Sequence, residues 1–396
     1  MDDRILVINC GSSSLKAALF DLEHNLIASA LAERLNQPDA RARIPGLDQD
    51  VHLTCGAGHE QALAALVDGF QNQHLLSGAP AAIGHRVVHG GETFRDAALI
   101  DAGTVSAIEA CSALAPLHNP VNLIGIRAMR SLFPHVPQVA VFDTAFHQSL
   151  PARAFRYALP ESCYRDWGVR RYGFHGTSHA YMAEQAARRL GRGLDSTSII
   201  SAHLGNGCSI TAIHRGKSVD TSMGLTPLEG LVMGTRSGDV DPGLFDYLSD
   251  RGMSAAEVHR MLNRDSGLLG LSGKTNDMRT LCELADQGHE PSRLAIDVFC
   301  FRLARYIGAM TASLSSLNAL VFTGGIGENS SLVREQTVGH LGLLGLSVNP
   351  ARNHNHGQDH QGFIESPDSR FPILVIPTNE ELVIAREAIR LARITA

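Results

Sequence analysis

Residues 5–21, ILVINCGSSSLKAALFD, decide how the chain is read. Ile5, Leu6, Val7 and Ile8 form an unbroken apolar run, as a short buried strand requires. Asn9-Cys10-Gly11-Ser12-Ser13-Ser14 is a polar turn with one glycine, and residues 15–20 read as the returning strand. The turn offers three hydroxyls, including Ser12 and Ser14, backbone N–H groups beside a glycine, and Lys16 just beyond. That set suits phosphate oxygens. Asn9 ends the first strand with an amide oxygen that could reach a metal or a metal-bound water. A serine-rich hairpin that binds nothing fits equally well, and this stretch alone leaves both readings open.

The rest of the chain supplies the context. Its 396 residues are enough for two domains or three, and 44% hydrophobic with 19% charged residues describes an ordinary soluble globular protein. A formal charge of −6 argues against a nucleic-acid binder. Seven scattered cysteines with no CxxC pair read as reduced thiols. The start, Met1-Asp2-Asp3-Arg4, lacks the basic region of a signal peptide, and no window approaches the roughly 20 apolar residues of a membrane span. A soluble, cytoplasmic protein is expected, with no nucleic-acid or membrane partner.

Periodicity places helices near 60–70, 104–114, 121–133, 180–190, 293–316 and 330–338, with a closing helix from 380. Residues 138–142 read as a buried strand that delivers Asp143 at its C-terminal end, where ligands bind in open α/β sheets. Residues 198–217 repeat the pattern of the opening: apolar strand, glycine turn, returning strand. Two such units, one per half, predict two similar domains facing each other across a cleft, with a boundary near Leu150-Pro151. The stretch 222–242 has no periodicity and carries Arg236; structureless segments of this length are uncommon unless functional.

No GxxxxGK[ST] and no GxGxxG occurs. Instead GSSS (11–14), HLGNG (203–207) and GGIGEN (324–329) each follow an apolar strand, and together they point to a nucleotide cleft. Arg86 and Arg236 stand in glycine-flanked, otherwise uncharged surroundings, as carboxylate or phosphoryl clamps do. His118, His175 and His179 taken singly read as structural. His354, His356 and His360 resemble a metal tract but read as a solvated loop, since nothing around them supplies supporting ligands. Asp143 and Glu380 are the carboxylates best placed to serve Mg²⁺.

NCGSSSLK (9–16), GHRVVHGG (84–91), APLHNP (115–120), FDTAFH (142–147), RRYGFHGTSH (170–179), HLGNG (203–207), GLTPLEGLVMGTRSGDVDP (224–242), FTGGIGEN (322–329) and PTNEEL (377–382) run in the order of one known family. By these motifs the chain resembles the acetokinase family, within the sugar kinase, Hsp70 and actin superfamily. Residues 35–60 and 353–360 match little. The resemblance implies an α/β fold of two ribonuclease-H-like (actin-like ATPase) domains, 1–150 and 151–382, with a closing helix 383–396 packing back on the first. It implies a homodimer and reversible phosphoryl transfer from ATP to acetate, giving acetyl phosphate and ADP, with Mg²⁺ or in its place Mn²⁺.

Carried over by motif, Asn9 and Glu380 would serve the metal, and Asp143, His175 and Arg236 would be catalytic. Arg86 would hold the acetate carboxylate, with His118 in the same pocket and Val88, Leu117, Phe174 and Pro227 as the acyl wall. Ser12, Ser14, Lys16 and the run His203-Leu204-Gly205-Asn206-Gly207 would take phosphates. Asp277, Met278 and Arg279 with Gly325, Ile326, Gly327, Glu328 and Asn329 would take the nucleoside. Alternatives are a propionate or butyrate kinase of the same family, a hydroxyl kinase, and a nucleotide-switched scaffold of the actin or Hsp70 kind.

Overall fold

β1 (Ile5–Cys10) is the axis of the first of two compact units in this computed structural model, which describes residues 2–47 and 50–394. The ends of the expected closing segment, Thr395 and Ala396, lie outside the described residues. The first unit comprises 1–146 and 379–396, the second 147–378. These divisions fall four residues before those read from sequence, because His147 bonds to Ser218 and the Phe174 carbonyl of the second unit, and Asn379 caps the closing helix of the first.

The first unit holds β1, β2 (Ser14–Phe20), β3 (Leu26–Glu33), β4 (Arg41–Arg43), β5 (Val51–His52), β6 (Ala82–Val87), β7 (Ala98–Leu99) and β8 (Gln138–Phe142), in the order β5-β4-β3-β2-β1-β6-β8-β7. The opening stretch is the hairpin expected, with Ile5 opposite Phe20 and Asn9 opposite Lys16. β1 is apolar from Ile5 to Ile8 because both its faces are covered there. Leu6 and Ile8 pack with helices His59–Asn72 and Asn119–Leu132, whereas Ile5 and Val7 pack with Ile384, Ala385 and Ala388 of the closing helix Glu380–Ala392. That helix lies so close to β6 that a Cβ at Gly84 would stand 2.5 Å from Ile384 Cγ2, which excludes any larger residue there.

The second unit carries β9 (Ser198–Leu204), β10 (Cys208–His214), β11 (Lys217–Thr221), β12 (Ala319–Thr323) and β13 (Ile373–Val375), in the order β11-β10-β9-β12-β13. On one side of β9 lie β10 and β11, each antiparallel to its neighbour, and on the other the parallel strands β12 and β13, the arrangement of β3-β2-β1-β6-β8 in the first unit. The pattern repeat in the sequence is therefore a repeat of topology. Among the described residues no helix is long and apolar enough to cross a membrane.

Three sequence expectations are corrected. The glycine segment after β12 is a short helix, Gly324–Asn329, because the Glu328 carboxylate folds back onto Gly324 N at 3.0 Å and Asn329 Nδ2 donates to Gly325 O. The helix expected at 180–190 begins four residues earlier, spanning Gly176–Arg189, with His175 as its N-cap in a left-handed conformation (φ 56°). The 353–360 segment is exposed at His354, Asn355 and 358–360, as expected, but it is not an irregular loop. It contains helix Pro350–His354 and a 3₁₀ turn Gln358–His360, buries Asn353, and bonds His356 to the buried Arg334.

Candidate active site

Parallel β1, β6 and β8 end together, so their last residues share one edge of the first sheet. Arg86 leaves β6 there, and Asp143 follows β8 with its N–H donated to Val87 O at 3.0 Å. Arg86 grips Asp143 in a two-pronged ion pair, Nη2 to Oδ2 at 2.7 Å and Nε to Oδ1 at 3.0 Å, while Nη1 reaches Asn9 Oδ1 at 3.4 Å. Asp143 is almost wholly buried, and a buried carboxylate needs such a partner. The closing helix adds Glu380 and Glu381 in its first turn, where the helix dipole favours anions. Lys16 Nζ lies 2.5 Å from Glu381 Oε1.

Three carboxylates thus face two cations. Burial opposes charging Arg86, but Asp143 and Glu380 outweigh it and hold the guanidinium charged. Burial pushes the Glu380 carboxyl up to about 7; Arg86 and Lys16 oppose the rise, and Asp143 and Glu381 add to it. With Glu380 ionised the edge carries one negative charge in excess, and the raised Glu380 carboxyl relieves that excess by holding a proton.

In the second unit, His175, His203 and Arg236 are drawn together around the HLGNG turn. A Cβ at Gly207 would stand 3.4 Å from His175 Cε1 and 3.5 Å from Arg236 Nη1, so a bare glycine leaves the approach between them open. The His175 and His203 rings stack with centroids 4.3 Å apart. Serine hydroxyls orient them: Ser209 Oγ lies 3.0 Å from His175 Nδ1 and 2.8 Å from His179 Nε2, Ser201 Oγ lies 3.0 Å from His179 Nδ1, and Ser178 Oγ lies 2.8 Å from His203 Nδ1. Arg236 donates to Pro227 O at 3.1 Å and makes no ion pair among the described residues. Burial lowers its proton affinity, so an anion brought beside it gains strongly.

The buried histidines carry a testable consequence. Desolvation lowers His85, His89 and His147 to about 4, and His179 well below its ordinary 6.5. The unfolded chain binds these protons more readily, so stability is full above about 6.5 and falls as pH drops toward 4, by roughly 1–3 kcal/mol per buried ring. Urea unfolding at pH 7 and pH 5 is expected to show this fall. His85→Gln, which can still donate to Gln138, is expected to reduce it, and an unchanged pH slope in that variant would exclude His85 as a contributor.

A cavity of about 710 Å³ lies in the second unit. Its wall combines Gly205 and Asn206 from the turn after β9, Asp277, Met278 and Arg279 at the start of helix Met278–Asp286, and Gly325, Ile326 and Asn329 of the glycine helix. Asn206 Oδ1 accepts from Asn276 Nδ2 at 2.8 Å, linking two of these walls. Motifs more than 100 residues apart in the chain so converge on one concavity whose size suits a small-molecule ligand.

A sequence model of the acetokinase family matches residues 4–386. The chain belongs to the acetokinase family. It is 54% identical to an acetate kinase of Pseudomonas aeruginosa (strain LESB58), with 98% of each chain covered. Among solved structures, a propionate kinase of Francisella tularensis (45% identity, TM-score 0.92) and an acetate kinase of Porphyromonas gingivalis (38%, 0.90) each align with 98% of this chain and all of their own. The two-unit α/β architecture is accordingly the actin-like ATPase fold of this family.

The remaining residues that the family resemblance singled out are placed as follows. Val88 is buried, with its N–H donated to Asn122 Oδ1, and Phe174 is buried, whereas Leu117 is half exposed. His118 is the N-cap of helix Asn119–Leu132. Ser12 is exposed, and Ser14 O closes the turn on Gly11 N at 2.8 Å. Leu204 and Gly327 are buried and do not line the cavity. Asp277 Oδ1 is occupied as a helix cap by Thr280, and Glu328 by Gly324 N and Thr378 N.

Sequence reasoning missed Asn276, Cys282, Glu283 and Asp286 in the cavity wall, and Ser178, Ser201 and Ser209 behind the histidines. The first group had a signal. Asp277 with Thr280 is a capping pair, and Met278, Cys282 and Asp286 then follow at i, i+4, i+8 on one helix face. The serines carried none.

The family resemblance implies a divalent cation, and the donors of the first-unit cluster would fit one. Asn9 and Glu380 offer hard oxygen donors at an edge that carries excess negative charge when Glu380 is ionised. Among the described residues no group of three or more His, Cys, Asp or Glu side chains is arranged to hold a metal. Mg²⁺ needs no such cage, since it is commonly bound through one or two carboxylates with substrate phosphates.

Proposed function

We propose that this acetokinase family member is a carboxylate phosphotransferase that catalyses reversible transfer of the ATP γ-phosphoryl group to acetate. The reading is supported within the first unit by a cation fixed for a carboxylate, Arg86 held by Asp143, and within the second by a nucleotide-sized cavity built from the family motifs. The acceptor is ionised at pH 7, since a carboxylic acid titrates near ~4–5, so no general base is required. An acetate oxygen attacks the γ-phosphorus as the bond to the ADP oxygen breaks.

The demand is electrostatic: two anions must meet. Arg86 holds the acetate carboxylate, and Arg236 with the His175 N–H meets the charge on the transferring phosphoryl group. Asp143 fixes Arg86. Asn9 and Glu380 would hold Mg²⁺, which when bound would neutralise phosphate charge. The turns at 11–14 and 203–207 bind phosphates, and the 710 Å³ cavity takes the nucleoside. The protein acts as a cytoplasmic homodimer.

Acyl length is set by Val88, whose bulk shortens the pocket toward acetate. An apolar pocket discriminates one methylene by only about 10–200-fold, so propionate is a slower substrate and not a rejected one. The test is ADP release with Mg-ATP against acetate, propionate, butyrate and glycerol, trapping acyl phosphate as hydroxamate. Acetate is expected to win by kcat/KM, and Val88→Ala to shift preference toward propionate by roughly tenfold. Propionate or butyrate winning in the parent would overturn the Val88 argument while leaving the class intact. Phosphorylated glycerol would mean a hydroxyl kinase, and bound ATP with no product would mean a nucleotide-switched scaffold.

A further inference from the structure

Arg334 is the largest fully buried side chain that the proposed chemistry leaves unused, and among the described residues it has no carboxylate partner. Its five N–H groups meet five neutral acceptors. Nη1 donates to Gly327 O at 2.8 Å and Glu328 O at 3.0 Å, Nε to Asn353 Oδ1 at 2.8 Å, and Nη2 to Asn353 O at 2.7 Å and His356 Nδ1 at 3.0 Å. A planar guanidinium with all five donors engaged has no freedom to turn.

The first two acceptors matter most. Gly327 O and Glu328 O are carbonyls at the C-terminal end of the glycine helix, groups that a helix cannot satisfy internally. This helix is six residues long with three glycines, a composition that does not hold a helix by itself. Its other face supplies Gly325, Ile326 and Asn329 to the cavity. Arg334 therefore sets where that wall stands.

Four of the five acceptors are peptide carbonyls or an amide oxygen that is itself fixed, since Asn353 Nδ2 donates to Ser331 O at 2.9 Å. The fifth, His356 Nδ1, accepts only when the ring is neutral with its proton on Nε2. Burial, Arg334 and His354 all press His356 toward that neutral form. The backbone at His356 is left-handed (φ 51°), an uncommon conformation for a non-glycine residue.

We propose that His356 is a positioning residue for the nucleotide: by accepting the last N–H of buried Arg334, it locks the glycine helix that forms one wall of the cavity. This rests on reading that cavity as the nucleotide site. The histidine-rich segment, which the sequence leaves without a role, is then a strut behind the binding wall.

The full-length protein tests it by calorimetric ADP affinity together with steady-state kinetics. His356→Ala is expected to weaken ADP binding and raise the ATP KM by roughly three- to tenfold, with the acetate KM and kcat within about twofold of the parent. Asn carries an oxygen where His carries Nδ1, so His356→Asn is expected to restore parental values. His356→Gln sets its oxygen one bond further out and is expected to fall short. If His356→Ala does not fold, the Asn-to-Gln contrast decides. Unchanged ADP affinity in His356→Ala, or Asn and Gln variants that behave alike, would overturn the proposal. So would a loss shared equally by acetate KM and kcat. A parent that binds no ADP would instead remove the nucleotide reading of the cavity, and this inference with it.

Discussion

Replacing Arg236 with alanine is expected to lower kcat by roughly 10³-fold or more while moving the acetate KM far less. Arg236 is partly buried, bonded to neutral groups, and set beside His175 at the bare Gly207. Its recorded neighbours give its charge no anion to answer, so its interaction is strongest when phosphoryl charge arrives beside it. Arg236→Lys is expected to recover little, because an ammonium cannot keep the bond to Pro227 O and still present a planar fork. Steady-state kinetics with saturating Mg-ATP provide the measurement. A large rise in acetate KM at intact kcat would make Arg236 a substrate-binding residue and refute its assignment to the transition state.

The second large effect is expected at Asp143. Asp143→Asn removes the charge that both prongs of Arg86 answer, leaving Arg86 near Glu380 and Glu381 without its fixed partner. A guanidinium displaced by about an ångström from its productive position costs on the order of 10²-fold in rate, so kcat/KM for acetate is expected to fall by about 10²–10³-fold. Removing one member of a largely buried pair should also reduce stability by about 1–3 kcal/mol. Acetate KM and the Mg²⁺ requirement are both expected to rise, since Asn9 and Glu380 lean on the same guanidinium. Because the acceptor is already ionised, the acid limb expected to move is that of Glu380, which the Asp143 charge helps to raise, and it should move together with the Mg²⁺ dependence. A moved acid limb with unchanged Mg²⁺ dependence would show that Asp143 shuttles a proton.

Much of this architecture is legible in one strand. The unbroken apolar run of β1 announces burial on both faces, and the polar turn into β2 announces the hairpin. The recurrence of that pattern at 198–217 foretells two units of like topology. Helix ends were less legible. At 176–179 the left-handed His175 starts a helix with no capping side chain, so no sequence signal marks its first turn. At 324–329 three glycines argue for a turn, and the carboxylate of Glu328 with the guanidinium of Arg334 makes it a helix instead.

The sequence by itself determined the periodic and local features: strand burial, helix faces, the glycine turns at 11–14 and 203–207, and the isolated arginines that family motifs assign to anions. These follow from residue spacing, which one stretch of chain contains whole. Only the tertiary structure decided which distant groups meet. Asp143 belongs to Arg86, 57 positions away, Ser209 stands between His175 and His179, and His356 completes the set around Arg334. Such pairings arise because buried polar and charged groups must find partners wherever the chain crossings bring them, and no local pattern encodes that encounter.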